Sequence, residues 1–174
     1  MKNKWSFLMR KILMLALILL ITAACSKKLN TIEQDYYTII HDIVPLQEDF
    51  AKKSSEPVYK LKDALEKETA FDVDKTIIDI EKVQTDAKNT ITEKAKNIKS
   101  DIGKKYIAVK IEYIDSVCSF SKNMLNNFKN MQDKSMKTFV EILADNVAVS
   151  GEKINNLLKE EEKLLREIQN MVEK

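Results

Sequence analysis

Two glycines, two prolines and two cysteines among 174 residues leave the chain with little punctuation. Antiparallel sheets need turn residues about every 8–12 positions, so a β-sandwich or barrel is excluded. Two cysteines cannot staple a small scaffold, and one histidine without grouped cysteines excludes the common zinc sites. Isolated glycines at 103 and 151 build no Gly-rich phosphate loop, and neither HExxH nor a nucleophile elbow occurs. The chain is therefore read as non-catalytic, with no cofactor and no metal. What is present is 44% hydrophobic and 32% charged residues, the composition of a folded helical chain.

Apolar residues are distributed unevenly. Lys2, Lys4, Arg10 and Lys11 precede the uninterrupted run Ile12 to Ile21, which is followed by the small residues Thr22, Ala23 and Ala24 and then Cys25. A basic start, a short apolar stretch and small residues at its end are the features of a signal peptide over residues 1–24. A membrane-spanning helix needs about 20 apolar residues, and Arg10 and Lys11 hold this run below that length. Thr22-Ala23-Ala24-Cys25 resembles the lipobox of bacterial lipoproteins, with Thr22 where leucine is common. The resemblance implies that Cys25 is acylated, that the peptide before it is removed, and that residues 25–30 form a short tether on a membrane surface. Two acyl chains anchor stably where one is marginal, at about 0.8 kcal/mol per buried methylene.

Removal of that segment changes the charge. The chain has 29 basic and 27 acidic residues, and four of the basic ones stand before Cys25, so the mature part carries 25 against 27, a net −2. Such a balance gives no ground for nucleic-acid binding. The one local excess spans residues 88–110, where Lys88, Lys94, Lys96, Lys99, Lys104, Lys105 and Lys110 face only Glu93 and Asp101, a net +5.

Helical periodicity covers the rest, and one bundle domain is expected over 31–174. Thr31 with Gln34 reads as a capping box. Ile32, Tyr36, Ile39, Ile43, Leu46 and Phe50 continue through Val58, Leu61 and Leu65 in a first helix. Pro45 is expected to kink that helix, and Ser54-Ser55-Glu56-Pro57 to break and restart it. Phe71 to Asp74 reads as a loop with Asp72 or Asp74 as cap. A second stripe includes Val73, Ile77, Ile80, Val83, Ala87 and Ile91. A third runs from Tyr106 through Tyr113 and Met124 to Met131, and the last uses Phe139, Leu143, Val147, Leu157, Leu165 and Ile168. Asp133 is expected to cap that last helix, Ser150-Gly151 to bend it, and Glu162 with Arg166 to form an exposed pair. The fold class is all-α, an elongated antiparallel helical bundle. It has four helices if the chain turns near Gly103, three if a helix runs through it.

Candidate reactive residues have plain structural readings. His41 lies at the border of the first apolar stripe with no partner at local spacing. Cys118 reads as a small buried residue. Glu160, Glu161 and Glu162, amid Lys159, Lys163 and Arg166, read as a solvated face, and Asp72 with Asp74 as loop residues. The basic segment carries one functional expectation. If the chain turns at Gly103, then Lys94, Lys96, Lys99, Lys104 and Lys105 return to the end that bears Cys25 and form a candidate membrane-facing tip.

The expected function is that of a membrane-anchored bacterial envelope lipoprotein, a binding or spacer module on the extracytoplasmic face. Its partner would be an envelope protein or a cell-wall component. In outline, a lipobox followed by Lys- and Glu-rich helices is similar to the cell-wall-binding lipoproteins of low-GC Gram-positive bacteria. Ser26 after the cysteine would permit outer-membrane sorting in a two-membrane cell. The alternative is a surface adhesin or phage/host-exclusion lipoprotein, whose contact residues would lie at the distal end near Phe71 and Asp133.

Overall fold

A computed structural model of the chain describes residues 30–173. The predicted signal peptide (1–24) and the predicted acylation site Cys25 lie outside the described residues. Thr31–Lys174 form one compact unit by their own internal contacts. That unit is an all-α bundle of packed helices.

The first helical segment is α1 (Thr31–Thr38), continued by a π-helical turn over Ile39–Ile43 and, after Val44 and Pro45, by α2 (Leu46–Glu66). Pro45 has no N–H to return to the chain one turn back, and its ring crowds that turn. The backbone answers by widening. The N–H of Val44 donates to the carbonyl of Ile39, 2.8 Å away, five residues back instead of four. This widened turn buries Ile39 and Ile43, both fully. The helix is thus irregular just before Pro45, where the kink is expected, but the predicted break at Ser54 to Pro57 is absent, and α2 runs through Pro57 without interruption. Ser54 Oγ donates to the carbonyl of Ala51 (3.2 Å) and Ser55 Oγ to that of Lys52 (3.1 Å), neither being the Lys53 carbonyl to which Pro57 has no N–H to donate. Ser54, Pro57, Leu61 and Ala64 form the buried face. Burial of that face outweighs the helix-breaking tendency of a single proline.

α2 closes at Glu68, whose φ of 52° is left-handed. The N–H of Thr69 bonds the carbonyl of Ala64 and that of Glu68 bonds Leu65, which satisfies two of the helix's orphan carbonyls. α3 (Val73–Lys94) then starts at Asp72, which accepts from the N–H of Lys75 at 2.9 Å, as one of the two predicted caps.

A turn does separate the middle helices, and Gly103 is not its pivot. α3 ends in a 3₁₀ turn at Ala95–Asn97, Ile98 is extended, and α4 (Asp101–Asn130) begins at the cap Ser100. Gly103 lies in the first turn of α4 and donates its N–H to Ser100 Oγ at 3.1 Å. Its missing side chain is what lets neighbours close in. A Cβ there would stand 2.8 Å from Ile98 Cγ2, 2.9 Å from Ser100 Oγ and 3.1 Å from Asp35 Oδ2.

α5 (Met136–Val172) is capped by Ser135 in place of the predicted Asp133. Asp133 acts one step further out, accepting from Ser135 Oγ (3.0 Å) and Thr138 Oγ1 (2.8 Å). These bonds hold its carboxyl below the usual carboxylate range. The helix runs 37 residues, continuous through Ser150 and Gly151, a length of about 55 Å. Its packing face differs from the apolar stripe at two points. Val147 is exposed, and Asn146 takes the core position, with its amide donating to the carbonyl of Ile142 at 2.9 Å. The predicted third stripe likewise overreaches at Met131, which is exposed. The Glu162–Arg166 pair is present and exposed, as expected.

The two glycines should respond oppositely to alanine. Gly103→Ala crowds an engaged cap and should cost about 1–3 kcal/mol. Gly151→Ala meets nothing closer than Val147 Cγ1 at 3.6 Å and should gain about 0.5–1 kcal/mol. Urea unfolding midpoints of the two variants check both signs.

Candidate functional site

Both ends of the bundle can be read from pairs that cross between helices. At one end Lys129 at the end of α4 pairs with Asp74 at the start of α3. At the other, Asp35 of α1 is 2% exposed and accepts from the backbone N–H groups of Ser100 (2.7 Å) and Lys99 (3.2 Å). These are orphan donors at the entry to α4, and a carboxylate there is favoured by the helix dipole as well as by the bonds. Asp35 thus ties the start of α1 to the α3–α4 link.

The lysines singled out in the sequence gather at that link. Lys94 ends α3, Lys96 lies in the 3₁₀ turn, Lys99 lies just before the cap, and Lys104 and Lys105 follow in α4. All five are exposed. Three have acidic neighbours: Lys94 pairs with Asp42 (3.5 Å), Lys96 with Glu93 (2.6 Å) and Lys105 with Glu160 (3.3 Å). Exposed pairs of this kind contribute about 0–1 kcal/mol each and leave the lysines solvated. Lys88 leaves the basic group altogether by bonding Asp115 on α4 at 2.9 Å. Burial alone would raise the Asp115 carboxyl, but bonds from Lys88 and Gln84 outweigh it and hold the pKa low.

Lys110 is the largest departure from the reading of a basic face. It is 1% exposed and lies inside the bundle. Its Nζ donates to Glu161 Oε1 at 2.6 Å and to Gln47 Oε1, and the hydroxyl of Tyr106 donates to the same Glu161 oxygen at 3.1 Å. Glu161 is 7% exposed, so the expectation that Glu160 to Glu162 form a solvated face fails at the middle residue. Ion pairing is the reason: a glutamate turns inward when a lysine across the core neutralises it. Burial pushes the Lys110 ammonium below its ordinary range, with Glu161 acting in the opposite direction. Burial and the same carboxylate push the Tyr106 and Tyr113 hydroxyls upward. Among the described residues, Glu161 Oε2 is buried without a hydrogen-bond partner.

Beside this network is a cavity of about 250 Å³ between α2, α3 and α4. Phe50, Val83, Ala87, Ile91 and Ile114 form apolar walls, and Lys110 and Tyr113 also line it. Phe50 meets Tyr113 edge-on with ring centroids 6.2 Å apart. No periodicity argument could have found this site, because its polar element comes from residues far apart in the sequence.

The remaining candidates stay apart from it. His41 is exposed on the π-helical turn and stacks on Tyr37 with centroids 4.3 Å apart. Cys118 is fully buried, as expected, and burial pushes its thiol up to about 11, outside the reactive range. Phe71 is half-buried against the core, and Asp133 belongs to the α5 cap. Among the described residues no group of acidic, histidine or cysteine side chains could hold a metal ion, and no helix is long and apolar enough to cross a membrane. The chain matches no family model, no curated protein and no solved structure.

Removing one partner of the buried pair should be far worse than removing both. Lys110→Met leaves Glu161 uncompensated in the core and should cost about 3–5 kcal/mol, while Lys110→Met with Glu161→Met should recover most of it. Chemical denaturation of the single and double variants measures the difference.

Proposed function

We propose that the chain is a lipid-anchored envelope protein of a bacterium, acylated at Cys25 and held on the extracytoplasmic face of a membrane. The helical bundle is a non-catalytic binding or spacing module, with an envelope protein or cell-wall component as its partner. The observation that carries the reading is the order of features before Thr31: basic residues, a ten-residue apolar run from Ile12, small residues and then the cysteine. Cys25 stands six residues before the start of α1, so an extended tether would reach at most about 20 Å.

The placement of Asp35 supports a further element of this reading. Because the start of α1 lies against the α3–α4 link, a short tether keeps Lys96, Lys99 and Lys104 close to the anchored surface. Near anionic headgroups each lysine is worth about 1 kcal/mol. The bundle would then rest its basic end on the membrane and turn the end containing Phe71 and Asp133 outward.

Two measurements test these statements. Growing producing cells with labelled palmitate should label the protein and retain it in the membrane fraction, and Cys25→Ala should abolish both; persistent labelling of the variant would overturn the anchor. The chain from Ser26 to Lys174 should bind anionic vesicles in preference to neutral ones, and Lys99→Glu with Lys104→Glu should weaken that binding at least tenfold. Equal binding to both vesicle types would sink the membrane-facing role of the tip.

A further inference from the structure

The middle of α5 shows apolar side chains to solvent. Val149 is 81% exposed, more than any other large apolar residue among those described. A lone valine at a surface is ordinary; what distinguishes this one is the pattern around it. Asp145 stands one helical turn before Val149 and Lys153 one turn after, each four residues away, and all three are exposed. Residues four apart on a helix form a ridge, so an acid, a valine and a base follow one another along a single ridge of α5. Open grooves border Val149, one lined by Ser116, Ser119 and Ser150 where α4 lies alongside, the other by Glu152, Asn156 and Leu157. The short serine side chains leave room for a second ridge to settle next to the first.

Reversed, the ridge is complementary to itself. Two copies of α5 whose i±4 ridges interdigitate cross at an inclination of about 50°. If they run in opposite senses about a two-fold axis at Val149, Asp145 of each copy meets the partner's Lys153, the two valines meet at the centre, and Glu152 falls beside the uncharged Ala148. Copies running in the same sense would set Asp145 against Asp145 and Lys153 against Lys153, so charge selects the antiparallel arrangement. Within one copy Lys153 meets Glu112 at 3.2 Å, and both side chains are more than half exposed. An ammonium has three donors, which leaves Lys153 able to take a second carboxylate. Asp145 has no ion-pair partner among the described residues, and the neighbouring Asp115 is already held by Lys88.

We propose that this face of α5 binds a second copy of the chain, in an isologous pair whose α5 helices cross antiparallel at Val149. The contact is small. One apolar knob from each copy and two symmetric ion pairs place it at the low end of specific interfaces, below about 1,200 Å², so the pair forms reversibly at high protein concentration. The antiparallel sense points the two basic ends apart, because α5 runs toward the end where Glu160 meets Lys105. Where the anchor proposed above also holds, the contact joins copies on facing surfaces and not neighbours on one. The self-association itself does not rest on that anchor.

Sedimentation of the chain from Ser26 to Lys174, which contains the whole compact unit, tests the proposal without the anchoring cysteine. A monomer–dimer equilibrium that moves to dimer toward millimolar protein is expected. Val149→Asp should weaken it at least tenfold; the position is exposed, and an unchanged far-UV circular dichroism spectrum checks the fold. Asp145→Lys and Lys153→Asp should each weaken self-association at least fivefold, and an equimolar mixture of the two should dimerise more tightly than either alone, since each copy then meets opposite charge. Cysteine placement reads the sense of the crossing. Val149→Cys should form an intermolecular disulfide on mild oxidation, whereas Asn156→Cys should not, because seven residues on either side of the two-fold separate its mates by about 20 Å. A chain that stays monomeric at millimolar concentration, a dimer indifferent to Val149→Asp, a mixture no better than its components, or crosslinking at position 156 would each overturn the proposal.

Discussion

The contact between Lys110 and Glu161 constrains the bundle more than any other. It joins α4 to α5 across 51 residues of sequence and, through Gln47, reaches α2. Apolar side chains tolerate sliding, because one leucine replaces another with little loss. A buried charge does not, since a shift of one helical turn would leave an ion in the core without its partner, at a cost of several kcal/mol. The pair therefore acts less as a source of stability than as a register mark. Tyr106 adds a second hydrogen bond to the same carboxylate, and the remaining buried oxygen of Glu161 has no partner among the described residues.

Other features follow from that alignment. With α4 and α5 in register, Lys105 meets Glu160 at the surface and the entry to α4 lies beside α1. Asp35 then satisfies donors that the 3₁₀ turn and the extended Ile98 leave open. Gly103 permits the approach, since any side chain there would press on Ile98, Ser100 and Asp35 at once. The cavity lies next to the same ion pair, where α2 and α3 cross α4 and the polar network displaces apolar packing.

Much of the architecture was legible before any coordinates. The helical class, an irregularity at Pro45, a cap at Asp72 or Asp74 and the burial of Cys118 all follow from spacing, turn chemistry and the scarcity of glycine. The misreadings share a cause. Pro57 and Asp133 were judged by local preference, and in each case a neighbouring interaction prevailed: a buried face around Pro57 and a better-placed hydroxyl at Ser135. Val147 and Asn146 differ by one position, and a stripe drawn from hydrophobicity alone cannot assign a core place to asparagine.

By itself the sequence determined the helical class and most of the places where helices start and stop, to within a few residues. These depend on composition and on neighbours within a turn or two, where the physics is local. Only the tertiary structure decided which lysine and which glutamate lie inside, where the middle helices turn, and where a cavity opens. A charged side chain is exposed by default and becomes buried only when a partner waits across the core, and that partner is identified by packing, not by position along the chain.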